Sequence, residues 1–389
     1  MPSFVDHAER AHALLGPSGA SRWMRCTKSA RLEEEFPDER SPYAAEGTLC
    51  HELCEVKARN YFLATVTRKQ MLERVAELKK DPLWHDEMEE CSDEWVRRIK
   101  ERALAFKTAP VYLFEVKLDL ESYIPGGFGT ADAVLISDNT IAVFDYKHGK
   151  GVPVYAEHNP QMMIYALGTL EAYRFLFPID KVEMHIVQPR IDNYSSWSCS
   201  ADELFRFGEE VKAKADLAYE GKGEFTPGDW CRFCRARATC RARADENVRL
   251  AFASKTKPEL LSNEEIGKYL KTGTDVAKWL EDLKEYALKE CLNGHTVEGY
   301  KAVAGRGSRS FEDTDKAFEK LEKEGIDEAM LYERKPLTVA KIEKLIGKKQ
   351  FATMVGDMVV KTEGKPTLVP ESDKREAVTN VLSAEEAFK

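Results

Sequence analysis

The chain has 389 residues, of which 43% are hydrophobic and 32% are charged, and its formal net charge is −9. A single hydrophobic core rarely supports this length, so we expect two domains or a core with a large appendage. The acidic charge argues against a protein that coats nucleic acid indiscriminately, although it permits a local basic groove. Without a long apolar run or a signal-peptide pattern, the sequence predicts a cytoplasmic protein with no membrane partner.

The amino-terminal part of the chain is predicted to be helical. We expect one helix from Ser18 to about Phe36, with Cys26 in its middle, and a second from about Tyr43 to Tyr61. Spaced apolar residues from Arg68 to Lys107 indicate two further helices, which Pro82 separates. Together these helices form a cap that precedes a sheet.

Strand patterns follow the helical cap. Phe114 to Leu120 alternates apolar with polar residues, and Glu115 is expected on its solvated face. Phe128 to Ile136 and Ile141 to Lys147 are apolar on both faces, as central strands covered on two sides are. The residues between them, 137–140, suit a tight hairpin. The sequence therefore predicts an α/β fold with a central sheet between helical layers.

The hairpin brings two acidic residues together. A two-residue turn pairs Ser137 with Thr140 and, further along the ladder, Asp132 with Asp145. Opposite residues of an antiparallel pair point to the same face, with Cβ atoms ~5 Å apart. Two carboxylates at that distance require a neutralising cation. Lys147 falls on the same face, where it would orient an attacking water or offset charge on a phosphate.

His51 is a further candidate ligand for this cation. It lies on a predicted helix, and an imidazole there would complete the coordination, although a hydrogen-bonded core histidine is the alternative. Mg²⁺ prefers oxygen ligands, whereas a nitrogen ligand suits Mn²⁺ better, so we expect either metal to support activity. The ion would polarise a scissile phosphate and lower the pKa of an attacking water.

The segment after the hairpin adds two polar candidates. A helix from Gln161 to Phe175 follows an Asn-Pro start, and Gln161 and Tyr165 lie one turn apart on it. Their side chains would project toward a base or a phosphate above the metal, while ordinary helix packing is the alternative. A strand from Val182 to Gln188 and a helix from about Asp202 to Tyr219 complete the predicted core.

Four of the nine cysteines suggest a second metal centre. Cys231, Cys234 and Cys240 supply three sulfurs from one short knuckle, and Cys26 is the candidate for the fourth ligand. Both an iron-sulfur cluster and a zinc ion use four such ligands. A link from residue 26 to residue 231 closes a loop of about 205 residues, which stabilises a fold by on the order of 5 kcal/mol. The remaining cysteines are expected to be buried thiols: Cys50, Cys54, Cys91, Cys199 and Cys291.

Arginines crowd around the cysteine knuckle. Arg232, Arg235 and Arg237 are candidates for DNA contacts, and a solvated basic face is the alternative. A second basic stretch includes Lys301, Arg306 and Arg309.

Two domains are predicted. Residues 1–250 form the core with the knuckle, a linker occupies 251–257, and residues 258–389 form a mostly helical accessory domain. In the accessory domain we expect a long helix from Asn263 to about Asn293 and a strand from Gly299 to Ala304.

These motifs carry a family resemblance. GTLCH, GTAD, DYK and QMMIY, in this order, resemble the RecB-like branch of the PD-(D/E)XK nucleases. With Cys26 before them and CRFCRARATC after them, the chain resembles the iron-sulfur members of that branch, such as the AddB-type nuclease domains and the CRISPR-associated RecB-like exonucleases. The resemblance covers residues 18 to about 243. One departure is Thr27, since many members have proline directly after the first cysteine.

The resemblance implies a restriction-endonuclease-like core and a role for each motif residue. His51, Asp132, Asp145 and Lys147 would be catalytic, and the backbone carbonyl of Tyr146 would join the metal ligands. Gln161 and Tyr165 would hold DNA. The resemblance also implies that a [4Fe-4S] cluster, with Zn²⁺ as the alternative, is held by Cys26, Cys231, Cys234 and Cys240.

We therefore expect a Mg²⁺- or Mn²⁺-dependent deoxyribonuclease, an exonuclease that acts on DNA ends. The stretch GYKAVAGRGSRSFED resembles phage-encoded RecB-like proteins, which implies recombination or DNA repair, with a single-strand annealing protein as a possible partner. Two alternatives remain open. One is a catalytically inactive DNA-binding or assembly module, and the other is a nicking or RNA-directed endonuclease of the same fold.

Overall fold

The protein is described from a computed structural model. The described residues are 13–37, 42–63, 65–252, 262–303, 314–323 and 347–355, with isolated positions beyond. The chain divides into two compact units, Met1–Val303 and Ala304–Lys389. The long helix expected in the accessory domain thus falls in the first unit. The linker expected at 251–257 lies mostly outside the described residues, so the boundary there stays a prediction.

The helical cap forms largely as expected. Its helices are α1 (Ala20–Trp23), α2 (Ser29–Glu33), α3 (Pro42–Phe62), α4 (Arg68–Leu78) and α5 (Glu87–Leu104). Helix α4 begins at Thr67, whose hydroxyl accepts the N–H of Gln70 while the Gln70 side chain accepts the N–H of Thr67. The expected helix at 43–61 and the pair on either side of Pro82 are confirmed.

The single helix expected from Ser18 to Phe36 is wrong. A turn that contains Cys26 separates α1 from α2. Sγ of Cys26 accepts the N–H of Thr226 at 3.4 Å, and the Thr27 hydroxyl donates to the carbonyl of Lys222 at 3.0 Å. These bonds reach about 200 residues along the chain, so a tertiary contact overrides the local helical pattern.

The sheet has five strands in the order β1-β2-β3-β4-β5. They are β1 (Val111–Asp119), β2 (Phe128–Ser137), β3 (Thr140–Tyr146), β4 (Lys181–Gln188) and β5 (Asn193–Ser200). Only the β3–β4 pair is parallel, so the sheet is mixed. Every residue of β3, the middle strand, is buried. The edge strand β5 was not predicted, because four serines interrupt its larger residues and leave no apolar alternation.

Helices cover both faces of the sheet. Helix α6 (Pro160–Tyr173) and helix α7 (Ala201–Tyr219) pack on one face, where Val143 and Leu167 belong to one apolar cluster. On the other face, Phe144 packs with Leu53 of α3 and Trp95 of α5. Neighbouring residues of β3 thus point into opposite cores. The α/β fold with a mixed sheet flanked by helices is confirmed.

The knuckle and later helices complete the described chain. A 3₁₀ turn, Asp229–Phe233, precedes α8 (Arg241–Phe252), α9 (Asn263–Leu292), α10 (Thr314–Lys323) and α11 (Lys348–Val355). The strand expected from Gly299 is wrong for the described residues up to 303, where only a single bridge joins Val297 and Tyr300. Across the described ranges, no helix is both long and apolar enough to span a membrane.

Candidate functional site

The hairpin between β2 and β3 has the predicted register. Ser137 pairs with Thr140, and the ladder continues to Ala133 opposite Phe144. Both turn residues between them have left-handed backbones, as a tight hairpin turn requires. Asp132 and Asp145 come next along the two strands, just beyond the last ladder pair. There the ladder ends, and Oδ2 of Asp132 accepts the backbone N–H of Tyr146 at 2.8 Å.

Asp145 is a buried carboxylate that contacts one amide and one ammonium group. Its Oδ1 accepts from Nε2 of Gln161 at 3.2 Å. Its Oδ2 forms an ion pair with Nζ of Lys147, 2.8 Å away. Burial raises the pKa of Asp145, Lys147 opposes that rise, and the charge of Asp132 adds to it. Such a site gains stability from a cation.

Gln161 connects the helix α6 to the acidic pair. The Asn159 side chain caps α6 by accepting the N–H of Gln161, which places Gln161 in the first turn. Oε1 of Gln161 accepts from Nζ of Lys147 at 3.0 Å, and its Nε2 also lies 3.3 Å from the hydroxyl of Tyr165. Its amide therefore holds Lys147 and Asp145 in fixed relation. The predicted residues of strand and helix do meet at one place.

His51 lies on α3 and approaches Asp132 from the helical cap. Its Nδ1 lies 3.4 Å from Oδ2 of Asp132, and its ring meets the ring of Tyr146 edge-on at 5.3 Å. The imidazole therefore faces Asp132 from the helical cap, and its role as a metal ligand stays a prediction. The role of the Tyr146 carbonyl as a ligand stays a prediction.

Glu115 joins this site, although the sequence placed it on a solvated face. It is only 7% exposed and has a left-handed backbone, with φ 53°. The β1–β2 pairing omits it, between Phe114 opposite Ala133 and Val116 opposite Ala131. Ligand atoms of His51, Glu115 and Asp132 all lie within 4.8 Å of one another. Acids from the two neighbouring strands β1 and β2 thus lie beside His51, and the left-handed backbone of Glu115 is a conformation that the surrounding structure must hold in place.

The four predicted cluster cysteines surround one cavity next to α1 and α2. Cys26, Cys231, Cys234 and Cys240 all line it. Besides the bond to Cys26, the N–H of Gly228 donates to Sγ of Cys231 at 3.4 Å. Burial raises the pKa of Cys26 and of Cys231, and it raises that of Cys234 to about 12. These thiols would therefore stay protonated at neutral pH unless a metal replaced their protons.

Polar contacts tie the knuckle to the amino-terminal segment. The Arg22 side chain pairs with Glu33 at 2.7 Å and donates to the carbonyl of Phe233 at 2.9 Å. Glu33 also accepts the backbone N–H of Arg235 at 2.8 Å. These contacts between protein groups hold the segment that carries Cys26 against the knuckle, and none of them involves a metal.

The knuckle arginines have different surroundings. Arg237 and Arg243 both pair with Asp282 of α9, at 3.1 and 2.6 Å, so they hold that helix against the knuckle. The guanidinium of Arg232 lies over the ring of Phe233 at 5.1 Å. DNA contacts by Arg232, Arg235 and Arg237 stay predictions. Of the second basic stretch, Arg306 and Arg309 lie outside the described residues.

The other cysteines agree with the sequence except for one. Cys50, Cys54, Cys91 and Cys199 are buried, as expected. Cys291 is only partly buried, so the expectation is wrong for this thiol. It lies near the end of α9, a helix with no buried residue.

One family model matches nearly the whole chain. It is described as "Protein of unknown function (DUF2800)" and matches residues 12–376. The chain belongs to the DUF2800 family. The DUF2800 chain is also similar to a solved structure described as "Crystal structure of SSO0001", with 14% identity over 61% of this chain and 91% of that one. The TM-score is 0.28, so this similarity carries no argument about fold or function.

Proposed function

We propose that this DUF2800 chain is a divalent-metal-dependent deoxyribonuclease that hydrolyses phosphodiester bonds. The observation that carries the proposal is the set of His51, Glu115 and Asp132, whose ligand atoms lie within 4.8 Å of one another, beside the buried Asp145, which pairs with Lys147 at 2.8 Å and whose pKa the charge of Asp132 helps to raise. A buried acidic pair of this kind suits Mg²⁺ or Mn²⁺. The resemblance of the motifs to the RecB-like nucleases gives the proposal its substrate class.

The donor set fits such an ion. His51, Glu115 and Asp132 bring one nitrogen and two carboxylates within 4.8 Å of one another, and Asp145, which is close enough for Asp132 and His51 to shift its pKa, would add a third carboxylate. The nitrogen makes Mn²⁺ as suitable as Mg²⁺. A bound ion supplies Lewis acidity and lowers the pKa of the attacking water.

The protein side chains would then position the reacting groups. Lys147 is held between Asp145 and Gln161, so its ammonium stays at the acidic pair, where it orients a water or stabilises a charged phosphate oxygen. Gln161 fixes this lysine and, with the nearby Tyr165 hydroxyl, offers hydrogen bonds to the substrate. His51 and Glu115 close the site from the side of the helical cap.

We propose a [4Fe-4S] cluster at the four cysteines, in preference to zinc. The four cysteines line one cavity, and four thiolates suit either metal centre. The resemblance of the cysteine motif to the iron-sulfur members of the RecB-like branch supports the cluster. Iron and sulfide analysis of anaerobically purified protein tests this, and one zinc per chain without iron would refute it.

The biological setting follows from the resemblance alone. We propose an exonuclease that resects DNA ends in phage recombination or repair, with a single-strand annealing protein as a candidate partner. Nothing in the geometry of the site favours the inactive module or the RNA-directed endonuclease over this function.

End-labelled digestion tests the proposal. Linear duplex, circular duplex, single-stranded DNA and RNA are each incubated with the protein and Mn²⁺ or Mg²⁺. We expect only linear DNA to be degraded, with loss of activity in Asp145→Asn. The matched control is Asp93→Asn, an acid whose side chain is 73% exposed and pairs with Lys57. Intact linear DNA in every condition, or an active Asp145→Asn variant, would refute the nuclease function.

A further inference from the structure

A second group of potential ligands lies on the other side of Tyr146. Glu46 belongs to α3, His85 precedes α5, and His148 directly follows Lys147. Oε1 of Glu46 lies 2.7 Å from Nε2 of His85 and 3.1 Å from Nε2 of His148. One ligand atom from each of the three lies within 4.8 Å of the others. Three separate segments therefore direct these atoms at one point.

His148 is held as metal-binding histidines are. Its side chain is 4% exposed, and its Nδ1 lies 3.0 Å from the hydroxyl of Tyr146. That contact fixes the ring and leaves Nε2 directed at Glu46. A histidine ligand typically has its second nitrogen hydrogen-bonded in this way, which sets both its orientation and its tautomer. The ring of His85 stacks beside it, with centroids 5.7 Å apart.

Arg190 places a positive charge next to the group formed by Glu46, His85 and His148. Its Nη1 lies 2.6 Å from Oε1 of Glu46, and its Nε and Nη2 reach Glu87 at 3.2 and 3.1 Å. The positive charge of Arg190 must therefore weaken cation binding. Because Arg190 also has Glu87 as a partner, it can remain paired when Glu46 turns to an ion.

We propose that Glu46, His85 and His148 form a second metal site, separate from the acidic pair, that takes a transition metal such as Zn²⁺. Two imidazoles and one carboxylate form a known zinc ligand set and are poor ligands for Mg²⁺. Tyr146 lies between the two sites, with its backbone N–H on Asp132 and its hydroxyl on His148. An ion at the second site would therefore join α3 to the end of β3 beside the acidic pair.

Zinc counting in the full-length protein tests the proposal. Protein incubated with excess Zn²⁺ is desalted, and zinc per chain is measured by mass spectrometry. We expect the wild type to retain one zinc more than the double variant His85→Ala/His148→Ala. The control is His295→Ala. His295 is an exposed histidine that pairs with Glu290 at 2.7 Å, and it belongs to neither of the two groups of potential metal ligands in the described residues. This control should retain the wild-type count.

Removal of the opposing charge provides a second test that does not depend on how the double variant folds. Arg190→Met should increase the zinc affinity of this site by about tenfold, because the guanidinium no longer repels the ion. Equal zinc counts for the wild type and a folded double variant would overturn the proposal, as would an unchanged affinity in Arg190→Met. Neither measurement uses DNA cleavage, so the outcome is independent of the nuclease activity.

Discussion

Oδ2 of Asp132 accepts the backbone N–H of Tyr146 at 2.8 Å, directly after the last ladder pair between β2 and β3. The Asp132 carboxylate thus takes the place of a backbone carbonyl as the acceptor for the N–H of Tyr146, the residue that follows Asp145. This bond positions one acid of the pair without any metal. The second acid, Asp145, is fixed by Gln161 and Lys147. We therefore expect a preorganised site whose variants change metal binding more than they change the fold.

Asp145→Asn should stabilise the metal-free protein at neutral pH. The folded protein raises the pKa of Asp145 above its ordinary value of 3.8, chiefly through burial, so folding favours the protonated acid. That stability is fully present below the ordinary value and is lost as the pH rises through the folded-state pKa. In the presence of a chelator, the difference in Tm between the variant and the wild type should grow as the pH rises above the ordinary pKa of 3.8. A difference that is constant with pH would contradict the raised pKa.

Mn²⁺ should reverse this order of stability. At 100 times its dissociation constant, a bound ion stabilises the folded state by about 2.7 kcal/mol. We expect Mn²⁺ to raise the Tm of the wild type and to leave that of Asp145→Asn nearly unchanged. Asp93→Asn, on the exposed surface, should respond as the wild type does. An equal rise in all three proteins would place the ion elsewhere.

Glu115→Gln should weaken Mn²⁺ binding by roughly tenfold, since a neutral amide is a poorer ligand than a carboxylate. The amide keeps the size of the side chain, so we expect the far-ultraviolet spectrum to be unchanged. Calorimetric titration measures the affinity. Lys117→Gln, two residues further along β1, is the control and should bind Mn²⁺ as the wild type does. Wild-type affinity in Glu115→Gln would remove this residue from the ligand set.

Gln161→Leu should lower kcat by roughly 10- to 100-fold, because Lys147 loses the acceptor that holds its ammonium near Asp145. Leucine is apolar and similar in size to glutamine, so we expect packing in α6 to be kept and stability to change little. Single-turnover digestion separates this effect from DNA affinity. If only KM changes, Gln161 contacts substrate and does not position Lys147.

Cys234→Ser should abolish the cluster and destabilise the protein by less than the ~5 kcal/mol of a complete link, because the contacts of Arg22 and Glu33 with the knuckle remain. Iron content and thermal unfolding measure the two effects. Cys199→Ser, at a buried thiol outside the knuckle, should keep its iron. Iron loss in both variants would indicate general unfolding.

The site was predictable from the sequence where local rules determine the register. The two-residue turn after Ser137 fixes the register from Ser137–Thr140 to Ala133–Phe144, because turn length sets the register of a hairpin, and this brings Asp132 next to Asp145. The first turn of α6 likewise follows from the Asn-Pro start, which places Gln161 and Tyr165 one turn apart.

Glu115 was not predictable in the same way. The β1–β2 connection is irregular: a Cβ added at Gly127 would lie 2.6 Å from Cβ of Ile124, so the chain there depends on glycine and gives no simple register. The alternation of apolar and polar residues within β1 predicted that Glu115 is solvated. Its left-handed backbone breaks that alternation, and the side chain is buried. The turn at Cys26 and the pairing of Arg243 with Asp282 also depend on residues distant in sequence.

The central claim is that Asp132 and Asp145 bind one divalent ion between them. Anomalous diffraction from crystals of the full-length protein soaked in Mn²⁺ tests this most directly. We predict a manganese peak in contact with Oδ2 of Asp145 and with the carboxylate of Asp132. Manganese at other acidic groups with none between these two carboxylates would contradict the account.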